Sequence, residues 1–190
     1  MNILFIAPYT PTPIRTRSYN LMHALAQRGH SLTLATLWEN ESERQALAEF
    51  EKHSVRVISA PLTKPRIGLN LARALSSGKP MQSLYCWEPA LARKIEAEVK
   101  QKSFDLIHIE HLRGSQYGLG LRSRMHLPVV WDSVDCISYL FEQAAHTSRN
   151  LFGRLVTRIE LPRTRRYEAW LLGQFDRVLV TSEKDRVAFL

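Results

Sequence analysis

The sequence predicts an α/β domain: a Rossmann-like open, mainly parallel sheet of about six or seven strands with helices on both faces. Three observations predict it. Six short apolar segments alternate with longer stretches of helical periodicity. The first segment, ILFI at residues 3–6, has no polar alternation, as suits a central strand buried on both faces. An apolar run, a loop, a helix and a second apolar run are complete by residue 37, which makes one strand–helix–strand unit with a right-handed crossover.

The elements follow in order. Residues 2–7 are the first strand and lack the flanks and cleavage pattern of a secretory signal. A proline- and threonine-rich loop occupies 8–13. Arg15, Arg17 and Ser18 then open a helix that Gly29 closes, with Leu21, Met22, Leu25 and Ala26 on its apolar stripe. Residues 31–37 form the second strand. The charged stretch 39–52 is helical, with Leu47 and Phe50 on its buried side, and 55–60 alternate as the third strand. A loop at 61–65 leads to a short helix over 67–75, broken by SSGKP at 76–80; residues 81–87 read as a loop bearing Leu84, Tyr85 and Trp87. Pro89 suits a helix first turn, and Leu91, Ile95 and Val99 form its apolar line. Residues 104–109 are the fourth strand, 110–120 a loop and short helix, 128–132 the fifth strand, and 134–145 a helix start or helical loop. A long Arg-rich helical stretch covers 151–175, interrupted at Pro162, and 177–181 form the sixth strand. The segment 182–190 starts a helix with a Ser182 cap and stops after two turns, which reads as a single-domain fragment, 1–190, cut after the sixth strand.

Composition bounds the class. With 190 residues, 45% hydrophobic and 23% charged, the chain suits one well-buried soluble domain. No apolar run approaches the roughly 20 residues of a membrane-spanning helix. Cys86 and Cys136 match no zinc or redox spacing and read as reduced thiols of a cytoplasmic protein. The net charge of +8 suits nucleic acid, anionic lipid or phosphorylated ligands, and equally a merely soluble basic protein.

Four groups of residues are candidates for chemistry. Arg15 and Arg17, with Ser18, stand at a helix N-terminus, where backbone N–H groups and guanidinium forks converge on a phosphate or another anion; two solvated arginines are the alternative. No G-x-G-x-x-G or G-x-x-x-x-G-K-[ST] is present and the first loop has no glycine, which argues against a dinucleotide dehydrogenase and a P-loop NTPase. In HIEH, His108 and Glu110 share one strand face. His111 falls beyond the strand at the ligand-binding edge, as a base or hydrogen-bond partner to a hydroxyl or as a satisfied loop histidine. The spacing marks no metal site. In WDSVD, Asp132 ends a parallel strand, where it can accept or orient the proton of a hydroxyl. Asp135 either contributes or, with Ser133, caps the following helix. Finally, Arg149, Arg154, Arg158, Arg163, Arg165 and Arg166 interleave with Leu151, Phe152, Leu155, Val156 and Ile159, moderated by Glu160 and Glu168. This composition fits a helix on an anionic membrane leaflet, or one packing its apolar side on the sheet. No groove-reading motif points to nucleic acid.

The stretch NILFIAPYTPTPIRTRSYNLMHALAQRGHSLTLATL resembles the N-terminal domain of glycosyltransferase family 4, which has the two-domain GT-B fold. FDLIHIEHL is similar to its fourth-strand region. PVVWDSVDCISYLF, RRYEAWLLGQFDRVLVTSEKD and the terminal S-E-K-D resemble a bacterial branch of exopolysaccharide-associated sugar transferases. The resemblance covers the whole chain. It implies a retaining, metal-independent transfer of a sugar from a nucleotide-sugar donor to an acceptor hydroxyl, in polysaccharide or glycolipid synthesis, with no cofactor. The partners implied are the nucleotide sugar, a sugar or lipid-linked acceptor and a C-terminal donor domain bearing E-x7-E, with no nucleic acid. The location implied is cytoplasmic, peripheral at the inner face of the membrane. Two departures stand out: the first loop is TPTPIRTRS where many members have a Gly-Gly turn, and Asp132 stands where many have histidine; the D-x-x-D of Asp132 and Asp135 also differs from the D-x-D of metal-dependent sugar transferases. On this reading Asp132 and His111 handle the acceptor or its proton. Arg15, Arg17, Ser18, Asp135 and Ser182 contact acceptor or phosphate, and Arg154, Arg158, Arg165 and Arg166 face the membrane. The alternative is a non-catalytic α/β module for an anionic ligand or membrane surface.

Overall fold

The structure, a computed structural model, describes residues 1–52, 55–147 and 151–189. The elements are β1 (Asn2–Ala7), α1 (Thr16–Gln27), β2 (Ser31–Trp38), α2 (Glu41–Lys52), β3 (Arg56–Pro61), α3 (Lys64–Ser77), α4 (Met81–Tyr85), α5 (Pro89–Gln101), β4 (Leu106–Glu110), α6 (His111–Arg122), β5 (Val129–Asp132), α7 (Ile137–Thr147), α8 (Leu151–Leu172), β6 (Arg177–Leu179) and α9 (Glu183–Phe189). Among the described residues the six strands form one sheet in the order β3-β2-β1-β4-β5-β6, and every pair is parallel.

Strand periodicity divides the core. Ile3, Phe5 and Ala7 of β1 face one side, with Met22 of α1 and Leu47 and Phe50 of α2. Leu4 and Ile6 face the other, with Leu91 and Ile95 of α5, Leu112, Tyr117 and Leu121 of α6 and Leu171 of α8. The chain winds outward through β2 and β3, then returns through α3, α4 and α5 to place β4 on the other side of β1. The strand order therefore reverses between β1 and β4, and the carboxyl edge at that reversal is where open α/β sheets bind ligands.

Helix α6 comes unusually close to β4. A Cβ at Gly118 would lie 1.9 Å from Ile109 Cδ1 and 3.2 Å from a ring carbon of Phe175, and one at Gly114 would lie 3.0 Å from Ile109 Cγ2. The two glycines, one turn apart, let the helix pack directly against the strand that carries His108 and Glu110.

Several expected boundaries shift. Residues 81–85, read as loop, form α4: both N–H and Oγ of Ser83 return to the Pro80 carbonyl, at 3.0 and 2.8 Å. One turn is too short to show a period. The expected loop at 61–65 is cut short because Thr63 caps α3, accepting from Arg66 N at 3.4 Å, with Pro65 in the first turn. Glu110 belongs to β4, and α6 begins at once after it. Pro162 does not interrupt α8, which runs through it. Thr157, Glu160, Thr164, Glu168 and Leu171 are buried along one stripe on both sides of the proline, and this packing offsets the lost backbone bond. Cys86 and Cys136 are both free and buried, and burial pushes the Cys86 thiol up to about 12. No helix of the described residues is long and apolar enough to cross a membrane.

Candidate active site at the strand-order reversal

The parallel register aligns the ends of β4 and β5. Glu110 and Asp132 are Cα partners, and His108 is two residues before Glu110 on the same face. The first turn of α1 covers that face. Arg17 sets a fork on Asp132: Nε lies 3.0 Å from Oδ2, and Nη2 2.9 and 2.8 Å from Oδ1 and Oδ2. Ser18 Oγ stands 2.6 Å from each oxygen of Glu110. Below them the His108 ring stacks on Phe5, with centroids 4.3 Å apart. Its Nε2 is 3.7 Å from Asp132 Oδ2 and makes no hydrogen bond.

Around these groups lies a cleft of about 320 Å³, walled by Tyr9, Arg15, Arg17, Ser18, Glu110 and His111. Larger hollows lie elsewhere among the described residues, one between α7, α8 and α9, one beside Pro128 and Asp176 at the amino edge and one between β3 and α5. Only the smaller cleft sits at the reversal with convergent polar groups, and position outweighs volume here. Asp132 is 1% exposed and lies under Arg17, whereas Arg17 itself is 39% exposed at the cleft. Arg15 is engaged on the far side, donating to the Thr10 carbonyl and Glu43 at 3.2 Å each, with its guanidinium 5.0 Å from the Tyr9 ring. The N-terminus of α1 has no side-chain cap and no acidic residue in its first turn, so its positive end is free to face an anion.

The electrostatics separate the groups. Burial, chiefly, lowers His108 to about 4, with Arg17 adding and Asp132 opposing. Burial and then Arg113 lower His111 to about 4. Both imidazoles are neutral at pH 7. Burial raises the Glu110 carboxyl, with the Asp132 charge adding and Ser18, Arg17 and Arg15 opposing. His111 and Val134 hold left-handed backbone, φ 63° and 64°. For β-branched Val134 this is strain, and its N–H donates to Asp132 Oδ1 at 3.2 Å, tying the turn to the carboxylate beneath Arg17.

The expected residues thus divide. Arg17, Ser18, Asp132 and His111 gather at the reversal, with Arg15 at its rim. Asp135 is half-buried beyond β5, its carboxyl raised by burial and by Asp185. Ser182 is outside the cleft and caps α9, its Oγ accepting from Asp185 N at 3.1 Å. Arg158, Arg165 and Arg166 are exposed on α8, Arg165 pairing with Glu142 at 3.1 Å; Arg149 and the side chain of Arg154 lie outside the described residues. Among the described residues no group of three or more His, Cys, Asp or Glu is placed to hold a metal ion. The sequence reading set Glu110 and His108 aside with the metal question and did not single out Tyr9 or Arg113. The period-2 alternation of HIE was the signal for the first pair.

Comparison with known proteins gives a family match. A family model described as a glycosyl transferase 4-like domain matches residues 14–189. A solved structure described as the glycotransferase of kitacinnamycin is similar with a TM-score of 0.48 and 15% identity, covering 97% of this chain and 50% of that one. The chain spans half the length of that structure. No curated protein matches.

Proposed function

The chain belongs to the glycosyl transferase 4-like domain family, and from that premise we propose that it is the acceptor-side domain of a retaining, metal-independent glycosyltransferase. The transfer moves a sugar from a nucleotide-sugar donor to an acceptor hydroxyl. The observation that carries this reading is the Arg17 guanidinium, held over the cleft by Asp132 beside Glu110 and His111 at the strand-order reversal. Arg17 and the uncapped end of α1 suit the negative charge of a donor diphosphate or a charged acceptor. Neutral His111 is a hydrogen-bond partner for a hydroxyl. Retention, independence of metal and the nucleotide-sugar donor come from the family resemblance. So does a donor domain that completes the cleft from across it.

The test is transfer by the complete protein over a panel of nucleotide sugars and glycoside acceptors, with chelator present. Product of retained configuration is expected, together with a large loss of rate in Asp132→Ala. No turnover with any donor and no effect of Asp132→Ala would sink the assignment.

A role in lipid-linked or polysaccharide synthesis at the inner membrane face has its own support. The exposed side of α8 combines Leu155, Ile159 and Trp170, which are 56%, 43% and 47% exposed, with Arg158 and Arg166. That pattern fits an anionic leaflet. Co-sedimentation with phosphatidylglycerol vesicles, weakened in Arg158→Glu/Arg166→Glu, is expected; binding unchanged by that variant removes this part. Vesicle binding in a complete protein that transfers no sugar would favour the non-catalytic module instead.

A further inference from the structure

Two carboxyl groups end neighbouring strands at the same height. Glu110 and Asp132 are register partners on one face of the sheet, so their backbones are about 4.8 Å apart. Their surroundings differ. Asp132 receives a guanidinium fork and the Val134 N–H and is 1% exposed. Glu110 receives a single hydroxyl, Ser18 Oγ, which stands 2.6 Å from both oxygens. A hydroxyl has one proton, so it donates to only one of those oxygens at a time. Glu110 is 7% exposed, and that exposure is to the cleft. Asp132 is not on the cleft wall at all, and a ligand reaches it only by displacing Arg17. A carboxyl short of donors at the wall of a cleft is a hydrogen-bonding group held ready for a partner.

Resting on the acceptor-side reading above, we propose that Glu110 is the carboxyl that contacts the acceptor. It binds a hydroxyl of a neutral sugar, is oriented by Ser18, and stands beside Arg17. Asp132 is then a positioning residue, acting through the guanidinium it holds. Arg17 and Glu110 together present a cation and a hydroxyl-binding group side by side on the cleft wall. The fork on Asp132 uses Nε and Nη2 of Arg17, and Nη1 takes no part in it.

The charged and titratable groups around Glu110 set its proton affinity. They are Tyr9 after β1, Arg15 and Arg17 at α1, Asp132 on β5, and His108 and His111 on its own segment; both histidines are neutral at pH 7. Burial raises the carboxyl, the Asp132 charge raises it further, and Ser18 and the two arginines lower it. Each cause has a variant with a known sign.

The experiment is carboxyl-carbon NMR on the chain, with and without methyl glucoside, galactoside and mannoside, set beside acceptor kinetics of the complete protein. The Glu110 resonance, identified by its loss in Glu110→Gln, should titrate above the ordinary glutamate range of about 4.3. The midpoint should rise in Ser18→Ala and fall in Asp132→Asn, with Ser18→Thr restoring it. At least one glycoside should shift that resonance. In transfer assays Glu110→Gln should raise the acceptor KM roughly ten- to a hundredfold with the donor KM unchanged. The limb of the pH profile should follow the midpoint in Ser18→Ala. A purely structural role gives the same midpoint changes in Ser18→Ala and Asp132→Asn but neither the glycoside shift nor the selective rise in acceptor KM, and unchanged unfolding midpoints in Glu110→Gln check that the variant is folded. Efficient transfer with a silent Glu110 resonance and an unchanged acceptor KM overturns this inference and leaves the glycosyltransferase reading standing. Glycoside shifts at Glu110 without transfer to any acceptor overturn that reading and leave the contact standing.

Discussion

Arg17 and Asp132 are 115 positions apart in the chain and meet in a fork whose distances are 2.8–3.0 Å. One stands in the first turn of α1, the other at the last residue of β5. The pair ties the first helix to the far side of the switch point, and it decides which groups the cleft presents: the guanidinium outward, the carboxylate beneath it. Removing Arg17 uncovers a carboxylate that is 1% exposed beneath the guanidinium and leaves the Val134 N–H as its remaining hydrogen bond.

Arg17→Ala should therefore destabilise the fold by about 1–3 kcal/mol, the value reduced because Arg17 itself is part-exposed. Arg17→Lys should recover only part, since an ammonium cannot form the fork. Urea unfolding of both single variants, and of the double variant with Asp132→Asn, measures the coupling; purely additive losses would show that the pair is energetically silent.

Stability should depend on pH through His108. Its folded value is about 4 against 6.5 unperturbed, so between these values the unfolded chain holds the extra proton. Stability then rises with pH across this window and is lost as pH falls from about 6.5 toward 4, by at most about 3 kcal/mol. His111, also at about 4, contributes in the same direction. The raised carboxyls of Glu110 and Glu168 act oppositely: their contribution is present at low pH and lost as pH rises through their folded values. His108→Phe, which keeps the stack on Phe5, should flatten the slope of unfolding free energy between pH 4 and 6.5. An identical slope would refute the assignment.

Two glycines of α6 should respond with opposite signs. Gly118→Ala pushes a methyl into Ile109 and Phe175 and should cost about 1–3 kcal/mol by overpacking. Gly120 is exposed with nothing within 4 Å of an added Cβ, and Gly120→Ala should gain about 0.5–1 kcal/mol through helix propensity. Thermal unfolding of the two variants reads the contrast directly.

Helix α7 is held at its start from α8. Glu168 accepts Ile137 N at 2.8 Å and Ser138 N at 3.0 Å, and it is almost wholly buried. Glu168→Ala leaves those donors unpaired and should cost about 1–3 kcal/mol. Glu168→Gln, which keeps an acceptor oxygen, should cost less. Hydrogen exchange at Ile137 and Ser138 should speed up more in the alanine variant than in the glutamine variant.

Much of the architecture was legible because it is written locally. Apolar runs such as ILFI and VVW mark buried strands, and the helices between them carry their own period. The expectations that failed were also local: one turn of helix at α4 has no room to show a period, and Pro162 breaks a helix only where packing does not hold both halves. At the site, Arg17, Ser18, His111 and Asp132 could be singled out because they stand beside strand ends and a helix start. Ser182 caps α9, as its place at a helix start suggests, and stands outside the cleft; a capping serine and a ligand-binding serine at a helix start look alike in one dimension.

The sequence alone determined the parallel α/β class, the unit formed by β1, α1 and β2, the lack of a glycine phosphate loop and the residues that could reach the carboxyl edge. These depend on side-chain period and type within a few positions. Only the tertiary structure decided that Arg17 takes Asp132 and turns it inward, that Ser18 takes Glu110 and leaves it at the cleft, and that Gly114 and Gly118 bring α6 against β4. Those outcomes depend on strand order and register, which set residues 92 and 115 positions apart side by side. No local pattern encodes which carboxyl the one guanidinium reaches; the placement of α1 over β4 and β5 does.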